Sequence, residues 1–88
     1  MVDSLRDLVY LTIDVDGMDP AIMPATGTPE PGGLSWYEML ALLRAVIARR
    51  QVVACDVVEL SPLPGIVAPN FLVSKLIYKI ITYKFARP

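Results

Sequence analysis

The sequence contains no histidine and a single cysteine, and these two absences set the first limits. Without imidazole, the usual side chain for proton transfer near neutrality and the commonest nitrogen ligand are both missing. A metal held by these residues alone would rest on oxygen donors, which favour Mg, Ca or Mn over zinc. Cys55 has no second cysteine to pair with inside the chain, which suits a reducing cytoplasm. Charge is also scarce, at 19% of residues with a formal net value of -1, which gives no reason to expect nucleic acid or an anionic membrane as partner. Long uncharged apolar runs are lacking too. The apolar stretch near the carboxy terminus is interrupted by Lys75 and Lys79, too early for a membrane span. Asp3, Arg6 and Asp7 stand where a secretory leader would carry its apolar centre. Internal repeats and low-complexity segments are absent.

What is present is apolar. Hydrophobic residues make up 55% of 88 positions, enough for one small domain. A domain of this size buries only about 60% of its unfolded surface, so much of this sequence has to be covered from outside. Either the chain self-associates or it forms part of a larger sheet, and the second reading fits better.

The richest stretch runs from Leu8 to Gly33, LVYLTIDVDGMDPAIMPATGTPEPGG. Its opening apolar residues predict a strand over Leu8 to Asp14, buried on both faces. Continued strand geometry would put Asp14 and Asp16 on one side, two residue rises apart. Two carboxylates so placed repel unless a cation or a proton lies between them. At the carboxyl end of a parallel strand, where open α/β sheets bind ligands, a metal is the natural occupant. Pro20, Pro24, Pro29 and Pro31 make the following segment irregular, and a loop of this length inside a compact domain is usually functional.

Ser35 and Glu38 form the S-x-x-E capping box, with Leu34 and Met39 in the positions of a hydrophobic staple. Met39, Leu42, Leu43, Val46 and Ile47 then recur on one helical face. Arg49 and Arg50 close the helix, where cations complement its dipole, and read as a solvated end. A second strand is expected over Val52 to Leu60, parallel to the first because a helix intervenes. Cys55 reads as a small buried hydrophobe. Asp56 lies deep in that strand and needs a partner, by helix capping or a salt bridge. Glu59 sits at the strand's carboxyl end, level with Asp16. Asn70 is placed to cap a last helix from about Phe71 to Tyr83. The order is β-loop-α-β-α, an α/β arrangement.

The three motifs IDVDGMDP, PATGTPEPGG and CDVVELSP together resemble the arginase/agmatinase (ureohydrolase) family, in its order and spacing, from Tyr10 to about Tyr83. The resemblance implies that residues 1–88 form the C-terminal part of a ureohydrolase domain, a piece of its three-layer α/β/α parallel-sheet fold. It implies a binuclear manganese centre, with Asp14 bridging the ions and Asp16 binding one of them. Glu59 would pair with the guanidinium group of the substrate, and Thr28 would lie beside the substrate pocket. The reaction implied is hydrolysis of a guanidinium C–N bond with release of urea. PEPGG leans towards an agmatinase, hence towards a small guanidinium substrate such as agmatine. The family's other ligands are histidines and aspartates from earlier strands, so the chain is expected to be inactive alone and to need a completing N-terminal segment or self-association. A non-catalytic fragment or a subunit of a split ureohydrolase is the alternative.

Two further readings are weaker. IDVDG also resembles the first motif of haloacid-dehalogenase-type phosphatases, with Asp14 as nucleophile and Asp16 as acid/base. Met18 replaces that motif's threonine, and no acidic residue follows Glu59 to hold magnesium. A calcium loop fails on spacing, since Gly17 comes too early and Ala25 occupies the terminal glutamate position.

Overall fold

The first apolar run forms β1, Leu8–Asp14, in a computed structural model that describes residues 2–29 and 31–85. A short 3-10 turn, Val2–Ser4, precedes it. After β1 come a 3-10 turn over Val15–Gly17, α1 over Trp36–Arg49, β2 over Gln51–Val58 and α2 over Ala68–Phe85. The expected β-loop-α-β-α order is therefore present.

β1 and β2 pair in parallel, with Thr12 opposite Asp56 and Asp14 opposite Val58. One bulge interrupts the ladder. Val9 faces Val52, but Tyr10 faces Ala54, so Val53 is the extra residue. Burial along β1 alternates rather than being continuous. Val9, Leu11 and Ile13 turn inward, whereas Leu8, Tyr10, Thr12 and Asp14 are exposed. Both helices supply side chains to the cluster around Ile13, and among the described residues the opposite face of β1 stays exposed, so the expectation of two buried faces is corrected. β2 also stops at Val58, which leaves Glu59 and Leu60 outside the strand. Cys55 is exposed, not a buried hydrophobe.

The capping box forms as its sequence requires. The Glu38 backbone N–H donates to Ser35 Oγ at 3.1 Å, and the Ser35 N–H donates to Glu38 Oε1 at 2.9 Å. That second bond holds the Glu38 carboxyl below its ordinary pKa. Met39, Leu40, Leu43 and Val46 are buried, and Leu34 packs against the same core as the staple predicts. The two arginines at the end of α1 are not merely solvated. Arg49 pairs with Asp3, and Arg50 Nε donates to the Leu5 carbonyl at 3.2 Å, so together they tie the amino-terminal turn to the helix.

α2 begins at Ala68, earlier than the Asn70 cap suggests, and runs to Phe85. Pro69 fits within the first turn because the N–H it lacks would have had no intrahelical partner there. Pro69, Val73, Leu76 and Ile80 form its buried side. No helix among the described residues is long and apolar enough to cross a membrane.

The loop between Val15 and Leu34 is part of the core. Val15, Met18, Met23 and Ala25 are fully buried, packed with Ile13, Leu43 and Leu76. Its two ends meet at a parallel bridge between Met18 and Leu34. Leu34 N–H donates to the Gly17 carbonyl at 2.8 Å, and Asp19 N–H donates to the Leu34 carbonyl at 2.9 Å. Gly33 is required at this closure, since a Cβ there would lie 2.6 Å from the Met18 carbonyl carbon.

Candidate functional site

The candidate site gathers where the parallel strands end. Asp14 is the last residue of β1 and is exposed. The chain then turns tightly, and Asp14 Oδ1 accepts from the Asp16 backbone N–H at 3.1 Å. Asp16 therefore lies in a 3-10 turn and not on a continued strand, which corrects the expectation that strand alternation aligns the two carboxylates. What orients Asp16 is the distant half of the loop. Thr28 Oγ1 donates to Asp16 Oδ2 at 2.7 Å, a charge-assisted bond that joins the IDVDGMDP and PATGTP motifs. Asp19, the third aspartate of the first motif, has a local role, accepting from the Ala21 N–H at 2.8 Å through Oδ1.

Glu59 follows Val58, the register partner of Asp14, and so stands at the same end of the sheet. It is exposed, and its backbone is left-handed at φ 72°, a conformation that side-chain-bearing residues rarely adopt. Two residues on, the Ser61 N–H donates to the Ala25 carbonyl at 2.7 Å, docking the end of β2 on the proline-rich loop. Beside this contact Thr26 is 9% exposed, and its hydroxyl has no hydrogen-bond partner among the described residues.

A second polar group lies on the uncovered sheet face below Asp14. Asp56 accepts from Thr12 Oγ1 and from the Tyr10 hydroxyl, each at 2.5 Å. The Thr12 and Tyr10 bonds hold the Asp56 carboxyl below its ordinary pKa, and the Asp56 carboxylate raises that of Tyr10. The partner that a carboxylate in this strand requires is thus a pair of hydroxyls, neither a helix cap nor a salt bridge. Its signal in the sequence was the alternation Tyr10, Thr12, Asp14 along β1, which becomes readable once Thr12 is set opposite Asp56.

As a metal site the donor set is partial. Asp14 and Asp16 each keep one carboxylate oxygen outside the bonds just described, and hard oxygen donors suit manganese. No group of three or more His, Cys, Asp or Glu able to hold an ion occurs among the described residues. The residues present could supply part of an oxygen-donor metal site.

Comparison with known proteins agrees with the motifs. The model of the Arginase family matches residues 1–82. The N(1)-aminopropylagmatine ureohydrolase of Synechocystis sp. is 52% identical over 75 residues, covering 85% of this chain and 24% of the relative. The agmatinase of Pyrococcus horikoshii is 44% identical over 61 residues, covering 69% and 22%. Among solved structures, the agmatine ureohydrolase of Thermoplasma volcanium superposes with a TM-score of 0.82 at 37% identity, over 94% of this chain and 28% of that one. The chain spans about a quarter of the length of the relatives it matches. Its parallel strands and helices are an α/β portion of the arginase-like fold. With motif order and fold in agreement with a family match over residues 1–82, the protein belongs to the arginase family.

Proposed function

We propose that the chain supplies the C-terminal, substrate-side part of a manganese-dependent, agmatinase-like ureohydrolase, and that it releases no urea by itself. The observation that carries this reading is the 2.7 Å bond from Thr28 to Asp16, because it couples two separate motifs at the carboxyl ends of the parallel strands. In this reading Asp14 and Asp16 are manganese ligands. When bound, the metal pair supplies Lewis acidity and lowers the pKa of water. Thr28 fixes the rotation of the Asp16 carboxylate through its hydroxyl. Glu59 accepts guanidinium N–H groups in a charge-assisted pair and so orients the cation. A linear guanidinium compound such as agmatine is the substrate, and cytoplasm is the compartment.

Turnover needs groups beyond these. The chain offers no imidazole to carry a proton to the leaving amine, and proton transfer alone contributes about 10²–10⁴-fold in rate. A completing segment bearing histidine ligands, on the same or a second chain, fills that gap in the proposed assembly. The second reading, a non-catalytic subunit of a split ureohydrolase, is favoured by the lack of a third ligand among the described residues. The phosphatase reading is set aside by the family match.

Urea release is the test. The purified chain with agmatine and Mn should produce none, and addition of the histidine-bearing segment of a related ureohydrolase should restore turnover. Glu59→Gln should then weaken agmatine binding about tenfold or more, the range for a bond to a charged group. Urea formed by the chain alone, in proportion to its concentration and removed by Asp14→Asn, would overturn the incompleteness while leaving the reaction in place.

A further inference from the structure

Two faces of this molecule have no cover among the described residues, and they point away from each other. Leu8, Tyr10, Thr12 and Asp14 are exposed on the side of the sheet opposite both helices. Register sets Asp56 beside Thr12 and Val58 beside Asp14 on that same side. The charged residues on it, Asp14 and Asp56, are both acidic. Each Asp56 oxygen accepts one hydroxyl, from Thr12 or Tyr10, and a carboxylate oxygen has room for a second donor. Parallel sheets are found almost only with both faces covered, and the usual cover is a helix.

The other face is the outer side of α2. Pro69, Val73, Leu76 and Ile80 turn towards the core, while Phe71, Tyr78, Ile81 and Phe85 are all more than half exposed. Those four recur at helical spacing as one apolar stripe. Lys75 is exposed within it, four residues after Phe71 and three before Tyr78. The charged residues of α2 are Lys75, Lys79 and Lys84, and none pairs with a carboxylate among the described residues. The two faces also match in length. Phe71 to Phe85 spans about 21 Å along a helix, and the seven residues of β1 span about 20 Å.

We propose that α2 of one copy docks on the open sheet face of the next, so that the chain assembles head to tail. Charge decides between the possible pairings. Sheet against sheet would bring Asp56 carboxylates together, and helix against helix would bring Lys75 ammonium groups together, both disfavoured by like-charge repulsion. Helix against sheet offers Lys75 to Asp56 and gives the parallel strands the helical layer they lack. Because the two faces point in opposite directions, the contact does not close on itself, and copies add in an open row. The proposal rests on these faces alone and not on metal or substrate.

The experiment is sedimentation equilibrium of the 88-residue chain at about 0.01 M and about 1 M NaCl, between which the range of charge interactions falls about tenfold. The weight-average mass should climb past twice that of one chain without a plateau, and the higher salt should weaken association. Asp56→Lys and Lys75→Glu should each weaken it about tenfold or more, and the two variants mixed in equal amounts should associate again. Asp56→Lys also removes the acceptor of Thr12 and Tyr10, so its fold is checked by circular dichroism. If that variant fails to fold, Lys75→Glu and Tyr78→Ser on the exposed side of α2 carry the test, each expected to weaken association. A plateau at the dimer, a chain that stays monomeric, association indifferent to salt, or Lys75→Glu associating unchanged would each overturn the proposal. So would a mixture of the two folded variants that stays monomeric.

Discussion

Asp56 shows how one side chain can govern a pH window. Its folded pKa is depressed by the Thr12 and Tyr10 hydroxyls, so its contribution is present above the ordinary carboxyl value of 3.8 and disappears as pH falls through the folded pKa. Tyr10 runs the other way. Its folded pKa is raised by the same contact, so that contribution is full below 10.0 and is lost as pH climbs through the raised value. Glu38, also held below its ordinary value of 4.5, adds to the acid limb, so stability should be level between about pH 4.5 and 10 and fall on both sides, measured as Tm against pH. Asp56→Asn should flatten the alkaline limb and reduce the acid limb to the share of Glu38, whereas an unchanged alkaline limb would show Tyr10 and Asp56 uncoupled. At this scale strand pattern and motif singled out Asp14 and Asp16, and motif alone singled out Thr28, which the structure joins to Asp16. It did not disclose the Asp56 pair, because that contact joins residues 44 and 46 positions apart and depends on a bulge that shifts the register.

Elements differed in how much of them could be read in advance. α1 announced itself, since capping box, staple and apolar face are all local and agree with one another. The start of α2 was obscured because Asn70 is a good cap by type, while Pro69 at the preceding position is an equally good first-turn residue. The proline-rich loop was expected to be functional, and burial of its methionines in the core was not foreseen. Irregular backbone carries no periodicity from which burial can be inferred, and Met18 and Met23 fill space only because the loop folds back on itself. Gly33→Ala should expose this dependence. Its new methyl meets Met18 backbone, which cannot rotate away, so a loss of about 1–3 kcal/mol is expected from urea denaturation. An unchanged midpoint would mean that the loop root is loose enough to absorb a methyl group.

The whole molecule exposes more than its size warrants. A folded chain of 9.7 kDa is expected to show about 5,100 Å² of surface. This one shows 5859 Å², with Leu8 and Tyr10 exposed on the sheet and Phe71, Tyr78, Ile81 and Phe85 on α2. Apolar patches of that extent mark surfaces that meet another surface. The chain should therefore self-associate as concentration rises, seen as a growing weight-average mass in sedimentation equilibrium. A monomer throughout the millimolar range would show that the open sheet face is well solvated by Tyr10, Thr12 and Asp56. That the sequence is too apolar for its length was evident from composition. Which face is left open was not, because a strand's alternation becomes visible only when one side has a layer and the other has none.

The bridge between Met18 and Leu34 also bears on the order in which this chain assembles. β1 and β2 are far apart in sequence, and each doubling of a loop adds about 0.6 kcal/mol to the entropy of closing it. Joining Met18 to Leu34 first removes the proline-rich part of the intervening chain, a little under half of it, from the contour that β2 has to span. Met18 follows β1 by one short turn, and Leu34 directly precedes the cap of α1, so the bridge brings the start of the helix close to the end of the strand it covers. The tight root at Gly33 thus bears on chain entropy as well as packing: with it closed, the pairing of β1 with β2 has a shorter loop to close.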